Sequence, residues 1–190
     1  NLYLIPAAQT RDKNAVNPQQ MCDLCSELKS EFDFIIIDSP AGIEQGFKNA
    51  IAPADRAILV TTPEVSAVRD ADRIIGLVEA EGIPTPDLIL NRVRIQMMKQ
   101  KDMMSTEDIL SLLSVPLLGL VPEDDGIIIS TNRGIPAAHD IKIKSGQAYR
   151  RIAARVDGEE VPFPDMSSEN GLFNKIRSRV GLMWGVQSNA

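Results

Sequence analysis

The run Phe34-Ile35-Ile36-Ile37-Asp38 constrains this chain more than any other segment, because it is apolar at successive positions and ends in a carboxylate. A strand that does not alternate is buried on both faces, as in a parallel sheet covered by helices. Ligands of such sheets bind outside the carboxyl ends of the strands, which is where Asp38 is expected. An acid there suits a water-mediated contact to Mg²⁺, which keeps several of its waters and is shared with nucleotide phosphates. Ser39-Pro40-Ala41-Gly42 follows at once. Gly42 lacks a Cβ and so leaves room for a backbone N–H to approach a terminal phosphate. Read alone, the same residues also describe a strand end whose Asp caps the next turn.

Four more strand-like stretches follow the same logic: Leu2–Ile5, Ala57–Thr61, Asp87–Asn91 and Leu117–Val121. Helical patterns lie between them at Pro18–Glu31, Glu64–Ala80 and Ser105–Leu113, with a last one at Ile143–Arg155. Strands alternating with helices make βαβ units and an α/β fold around a parallel sheet. Ser105 reads as an N-cap with acids behind it, and Gly82, followed by Pro84 and Pro86, closes the long helix. Within that helix Val65, Val68, Ile74, Ile75 and Val78 form the expected buried stripe, with Arg69, Asp70, Asp72 and Arg73 facing away. The stretch 124–140 is punctuated by Gly and Pro and is expected to hold one short helix.

Three segments occur in order: Asp38 to Glu44 (Asp-Ser-Pro-Ala-Gly-Ile-Glu), Thr62 to Arg73, and Val121 to Asp124 (Val-Pro-Glu-Asp). In this order they resemble the MinD/ParA family of deviant-Walker P-loop ATPases, and within it the septum-site-determining branch. The resemblance also takes in Gln9 to Lys13 and the amphipathic end of the chain. It implies a P-loop NTPase-like three-layer fold, incomplete here, plus a C-terminal amphipathic helix. The family's Gly-rich phosphate loop is not found in these 190 residues, and the chain starts at Asn1 on a strand-like stretch. The expectation is therefore a family member without its N-terminal part, organised as an ATPase-like domain over 1–156, a polar linker over 157–170 and a tail over 171–190.

The resemblance carries further implications. ATP and Mg²⁺ are the cofactors, with ATP lying across two subunits of an ATP-dependent homodimer. Asp38 matches the acid that holds the metal through water, and Gly42 matches the switch that senses the γ-phosphate. Asn91 and Arg92 follow a buried strand where the family reads adenine, and an Asn amide donates and accepts at once. Pro122, Glu123 and Asp124 match the adenine-side loop. None of these would be a general base, since phosphoryl transfer rests on positioning and charge stabilisation. The long helix is implied to serve the dimer and partner surface. The implied partners are the septum inhibitor MinC and the topological-specificity factor MinE. The implied location is cytoplasmic, and peripheral on the inner face of the cell membrane or, in a plastid, stroma and inner envelope. Two other readings stay open: a ParA-like partition ATPase, and a catalytically inert fragment that binds membrane or partners.

Charge helps to weigh these. With 26 acids against 20 bases the net charge is −6, which argues against general nucleic-acid binding through the body. The bases Lys175, Arg177 and Arg179 cluster in the tail. On a helix from Gly171 to Val186, the apolar residues Leu172, Phe173, Ile176, Val180, Met183 and Trp184 fall within roughly 120° of arc. Basic residues at the edges of such an arc reach anionic headgroups while the apolar face sinks into the membrane surface. No run of about 18 apolar residues is present to span a bilayer, and no secretory signal opens the chain. Cys22 and Cys25 form one Cys-x-x-Cys with neither a second pair nor a nearby His, so core packing is expected for them. His139 is expected on the surface, and Met97, Met98, Met103 and Met104 to fold back on a neighbouring strand.

Overall fold

The computed structural model describes residues 2–6 and 15–164. Two compact units are present, one made of the chain up to Ala57 with Leu77–Pro84, the other of Ile58–Gly76 with the chain from Thr85 on. Each is built by itself.

In the first unit, α1 (Pro18–Leu28) starts where its sequence asks it to. The Asn17 side chain accepts from the Gln20 N–H at 2.9 Å while Gln20 Oε1 accepts from the Asn17 N–H at 3.0 Å. Two donors that the helix leaves orphaned are thus satisfied reciprocally. The helix stops at Leu28, three residues short of the expected Glu31. Cys25 is buried and Cys22 half-buried, both as free thiols, and burial pushes the Cys25 thiol up. A short helix that the sequence pattern did not announce, α2 (Gln45–Ile51), follows, and the Asn49 amide ties it to the Val16 carbonyl at 2.8 Å.

Two expected strands are corrected here. Leu2–Ile5 and Phe34–Asp38 carry no strand structure, and their side chains are largely exposed, Ile36 to 91%. A strand buried on both faces needs a ladder neighbour and covering layers, and no described strand pairs with either stretch.

The second unit holds a parallel three-stranded sheet in the order β1 (Ile58–Thr61), β2 (Asp87–Val93), β3 (Leu117–Pro122). Ile58 to Thr61 pair with Asp87 to Leu90 in unbroken register. Leu88 pairs with Leu117 but Ile89 with Gly119, so Leu118 is an extra residue on β3. On one face Leu88, Leu90, Leu117 and Leu120 pack with Val68, Ala71 and Ile75 of the long helix α3 (Val65–Ala80) and with Ile109 and Leu113. The stripe on α3 therefore runs through Val68 and Ala71, and Val65, expected inside, is 62% exposed. It stands on the first turn, at the edge of the stripe. The long helix ends in the expected manner: Gly82 takes a φ of +84°, its N–H donates to the Glu79 carbonyl and that of Ile83 to Val78. This pair of bonds caps the last carbonyls, and glycine reaches the left-handed region without strain.

After β2 comes a second unannounced helix, α4 (Ile95–Gln100), then α5 (Thr106–Leu113), whose Ser105 cap accepts from the Asp108 N–H at 3.1 Å. Met98 and Met104 fold onto the core as expected. The stretch 124–140 holds α6 (Gly126–Asn132) and a 3₁₀ turn, Ala137–His139, with His139 exposed. On the other face of the sheet, Ala148 and Ile152 of α7 (Lys144–Val156) pack on Ile89, Leu118 and Val121. The approach is close, for a Cβ on Gly119 would stand 2.2 Å from Ile152 Cγ1. Among the described residues no helix is long and apolar enough to cross a membrane.

Candidate functional site

Asn91, Arg92, Pro122, Glu123 and Asp124 meet at the carboxyl ends of β2 and β3, where ligands of open α/β sheets bind. The pairing of Leu90 with Leu120 and of Val93 with Pro122 leaves Asn91 and Arg92 opposite Val121 alone. That is a bulge, which bends the strand and re-aims side chains. Arg92 takes a φ of +55°, a conformation uncommon for a residue with a side chain. Its N–H donates to Asn91 Oδ1 at 2.9 Å. The Asn91 amide keeps a donor, Nδ2, at the far end.

Glu123, the residue after β3, holds the bulge from alongside. Its Oε1 accepts from Arg92 Nη2 at 2.9 Å, its Oε2 accepts from Arg94 Nε, and its own N–H donates to the Val93 carbonyl at 3.1 Å. The two guanidinium groups, Arg94 first and Arg92 second, hold the Glu123 carboxyl down at about 2. Both arginine side chains are more than half exposed, so the clamp fixes geometry more than it stabilises the fold. Arg94 was not among the residues singled out by sequence. Its signal is the spacing Asn91-Arg92-Val93-Arg94, two bases at a strand end facing a Pro-Glu-Asp loop.

Asp124 works inward. Oδ1 accepts from the Gly126 N–H at 2.8 Å, and Oδ2 accepts from the Ser145 N–H at 3.0 Å and the Ser145 hydroxyl at 3.2 Å. These bonds, the Ser145 amide foremost, hold the Asp124 carboxyl below its ordinary value. One side chain therefore starts α6 and caps α7, whose own cap position, Ile143, has no side-chain acceptor to offer. Pro122 is the half-buried last residue of β3.

Asp38 and Gly42 belong to the first unit. Asp38 is exposed in a stretch without regular structure. Gly42 has a φ of +96° and no atom within 4 Å of where a Cβ would stand, so glycine supplies backbone conformation there. A lone exposed carboxylate fits Mg²⁺ that keeps its waters and shares phosphate oxygens. The described residues contain no group of three or more potential ligands that would cage an ion by themselves. The tail residues Leu172, Phe173, Lys175, Ile176, Arg177, Arg179, Val180, Met183 and Trp184, and the segment Gln9 to Lys13, lie outside the described residues.

Comparison with known proteins gives the arrangement a context. The family model of the cellulose biosynthesis protein BcsQ matches residues 4–117. The chain is 56% identical to the septum site-determining protein MinD of Synechocystis over 182 residues, covering 95% of this chain and 68% of that protein. Among solved structures it is similar to MinD in the MinC:MinD cell division protein complex of Aquifex aeolicus, with a TM-score of 0.75 and 40% identity over 78% of this chain and 62% of that one. It is also similar to the MinD of Pyrococcus horikoshii solved with Mg-ADP, with a TM-score of 0.66 and 32% identity over 74% of this chain and 57% of that one. The chain thus spans about two thirds or less of the length of these relatives.

Proposed function

We propose an ATP-dependent role in placing the division septum for this chain, which belongs to the MinD family of septum site-determining proteins. The observation that carries the reading is the bulge at the end of β2, where Asn91 and Arg92 are set beside the Glu123 clamp. An amide fixed at one end by a backbone N–H presents its other end in a defined direction, as recognition of a base edge requires. Asp124, turned inward, shapes the adenine-side loop without touching the ligand, and Pro122 stiffens its start.

Bound Mg-ATP supplies the negative charge and the metal that the phosphate-side residues answer. Asp38 would hold Mg²⁺ through water, and Gly42, preset at positive φ, would offer a backbone N–H to the terminal phosphate. Residues 1–156 form the ATPase part, 157–170 a linker and 171–190 a membrane-surface helix. ATP drives dimerisation, attachment to the cytosolic face of an anionic membrane and recruitment of MinC, and MinE triggers hydrolysis and release. The relative solved with MinC and the one solved with Mg-ADP support this assignment of partner and cofactor.

Because the Gly-Lys-Thr loop is not in this sequence, the 190 residues by themselves should bind Mg-ATP weakly or not at all and should not hydrolyse it. Isothermal titration of the chain decides this, and a micromolar dissociation constant would refute it. Joined behind a phosphate loop of the family, the chain should hydrolyse ATP, Asp38→Ala should abolish turnover with the fold intact, and Asn91→Ala should raise KM for ATP over GTP. Normal turnover in the first variant would remove Asp38 from the metal site. Unchanged base preference in the second would remove Asn91 from the adenine site.

A further inference from the structure

The chain does not leave the body where α7 stops. Arg155, in the last turn, turns back on the residues that follow it: Nε donates to the Val161 carbonyl at 2.9 Å and Nη2 to that of Pro162 at 3.1 Å. Nη1 donates to the Leu118 carbonyl at 2.8 Å. Leu118 is the extra residue on β3, with no register partner on β2. The guanidinium also lies 4.0 Å from the ring centre of Phe163. Three carbonyls from two places, β3 and the segment after α7, are held by one planar cation, whose spread donors a lysine ammonium, a single point, does not reproduce.

The course of the segment adds the second observation. Ile152, one turn before Arg155, packs on the Ile89 and Val121 face of the sheet, whereas Phe163 packs against the core cluster on the opposite face, the one that contains Leu88 and Leu90. Within these few residues the chain passes from one face to the other, and β3 is the outermost described strand on that side. Open strand edges invite pairing with other chains, and covering them with a segment is one remedy.

We propose that Arg155 and Val161–Phe163 form a strap around the outer side of β3 that fixes the point from which residues beyond 164 leave the body. Its use rests on the reading of the tail as a membrane-surface helix. The N–H groups of Asp157, Gly158 and Glu159 stay bonded to the end of α7, so closing the strap shrinks the free tether before that helix from eleven residues (160–170) to seven (164–170). Effective concentration falls roughly as the −3/2 power of tether length, so closure raises that of a second tail in a dimer about twofold.

Spin labels at Ser111→Cys and Pro164→Cys, in a full chain with Cys22→Ser and Cys25→Ala, test the strap directly. One narrow distance distribution is expected with Arg155 in place, and at least a twofold broadening in Arg155→Ala and in Arg155→Lys. Failure of lysine to restore the narrow distribution separates the fork from simple positive charge. Should Arg155→Ala fail to fold, Phe163→Ala, which leaves α7 and β3 intact, must broaden the distribution. A distribution as narrow in the variants as in the parent overturns the proposal. Trp184 emission with anionic vesicles is read on the same parent chain. Absence of a blue shift would sink the membrane reading, while the strap stands or falls on the distances alone.

Discussion

Leu117–Pro122 and Phe34–Asp38 read almost alike as sequence, and the structure treats them in opposite ways. The first is a strand with five consecutive buried residues, and the second has no strand structure, with Ile36 91% exposed. Both have the composition of a buried parallel strand. What differs is company: β3 has β2 beside it, α7 on one face and the α3 and α5 layer on the other. Burial of a parallel strand is a property of the ladder and its cover, and the apolar run is only permission for it.

The comparison can be broken or sharpened by substitution, and the largest contrast is expected in the cores. Leu90→Ala, at a fully buried site of β2, should cost about 2–5 kcal/mol, whereas Ile36→Ala should stay within about 0.5 kcal/mol. Urea unfolding followed by circular dichroism measures both, and similar losses would mean that Ile36 is buried in solution. Next comes glycine. Gly119→Ala drives a Cβ into the Ile152 side chain and should cost about 1–3 kcal/mol, while Gly42→Ala meets no atom and should cost only its left-handed backbone, about 1–2 kcal/mol. If Gly119→Ala were neutral, α7 would sit farther from β3 than described.

Asp124→Ala removes the acceptor for three hydrogen bonds at the start of α6 and α7 and should cost roughly 0.5–2 kcal/mol, as loss of a helix cap does. Hydrogen exchange should quicken at the Ser145 amide and leave α1 untouched; uniform change across both units would contradict a local cap. The smallest effect concerns pH. Glu123 titrates at about 2 in the folded chain against an ordinary 4.5. A depressed folded value means that its contribution is complete above about pH 4.5 and is lost as pH falls toward 2. A ¹³C titration of the Glu123 carboxyl checks this, and Arg94→Ala should move the midpoint upward. A midpoint near 4.5 in the parent chain would dissolve the clamp.

Much of the second unit was legible because its signals are local. Ser105 capped its helix and Val68 faced inward on the long helix, each signalled by residues within a few positions. Helices α2 and α4 escaped notice because each is about two turns long, too short for a period to emerge. In the site, the residue types at the strand ends were readable, but their division of labour was not. Whether a carboxylate in Pro122-Glu123-Asp124 looks outward or inward depends on what lies opposite, and Ser145 and Arg94 are brought there only by the fold.

The Arg155 strap has a mechanical consequence. Tension applied to the chain beyond residue 164 falls first on one guanidinium and one ring, and only then on α7. Opening releases residues 160–163, four in number, or about 14 Å of extended chain. In a pulling experiment this should appear as a short first step, distinct from loss of the sheet, and absent in Arg155→Ala. Such an element gives way before β2 and β3 are disturbed, so it acts as a fuse between the chain beyond it and the sheet.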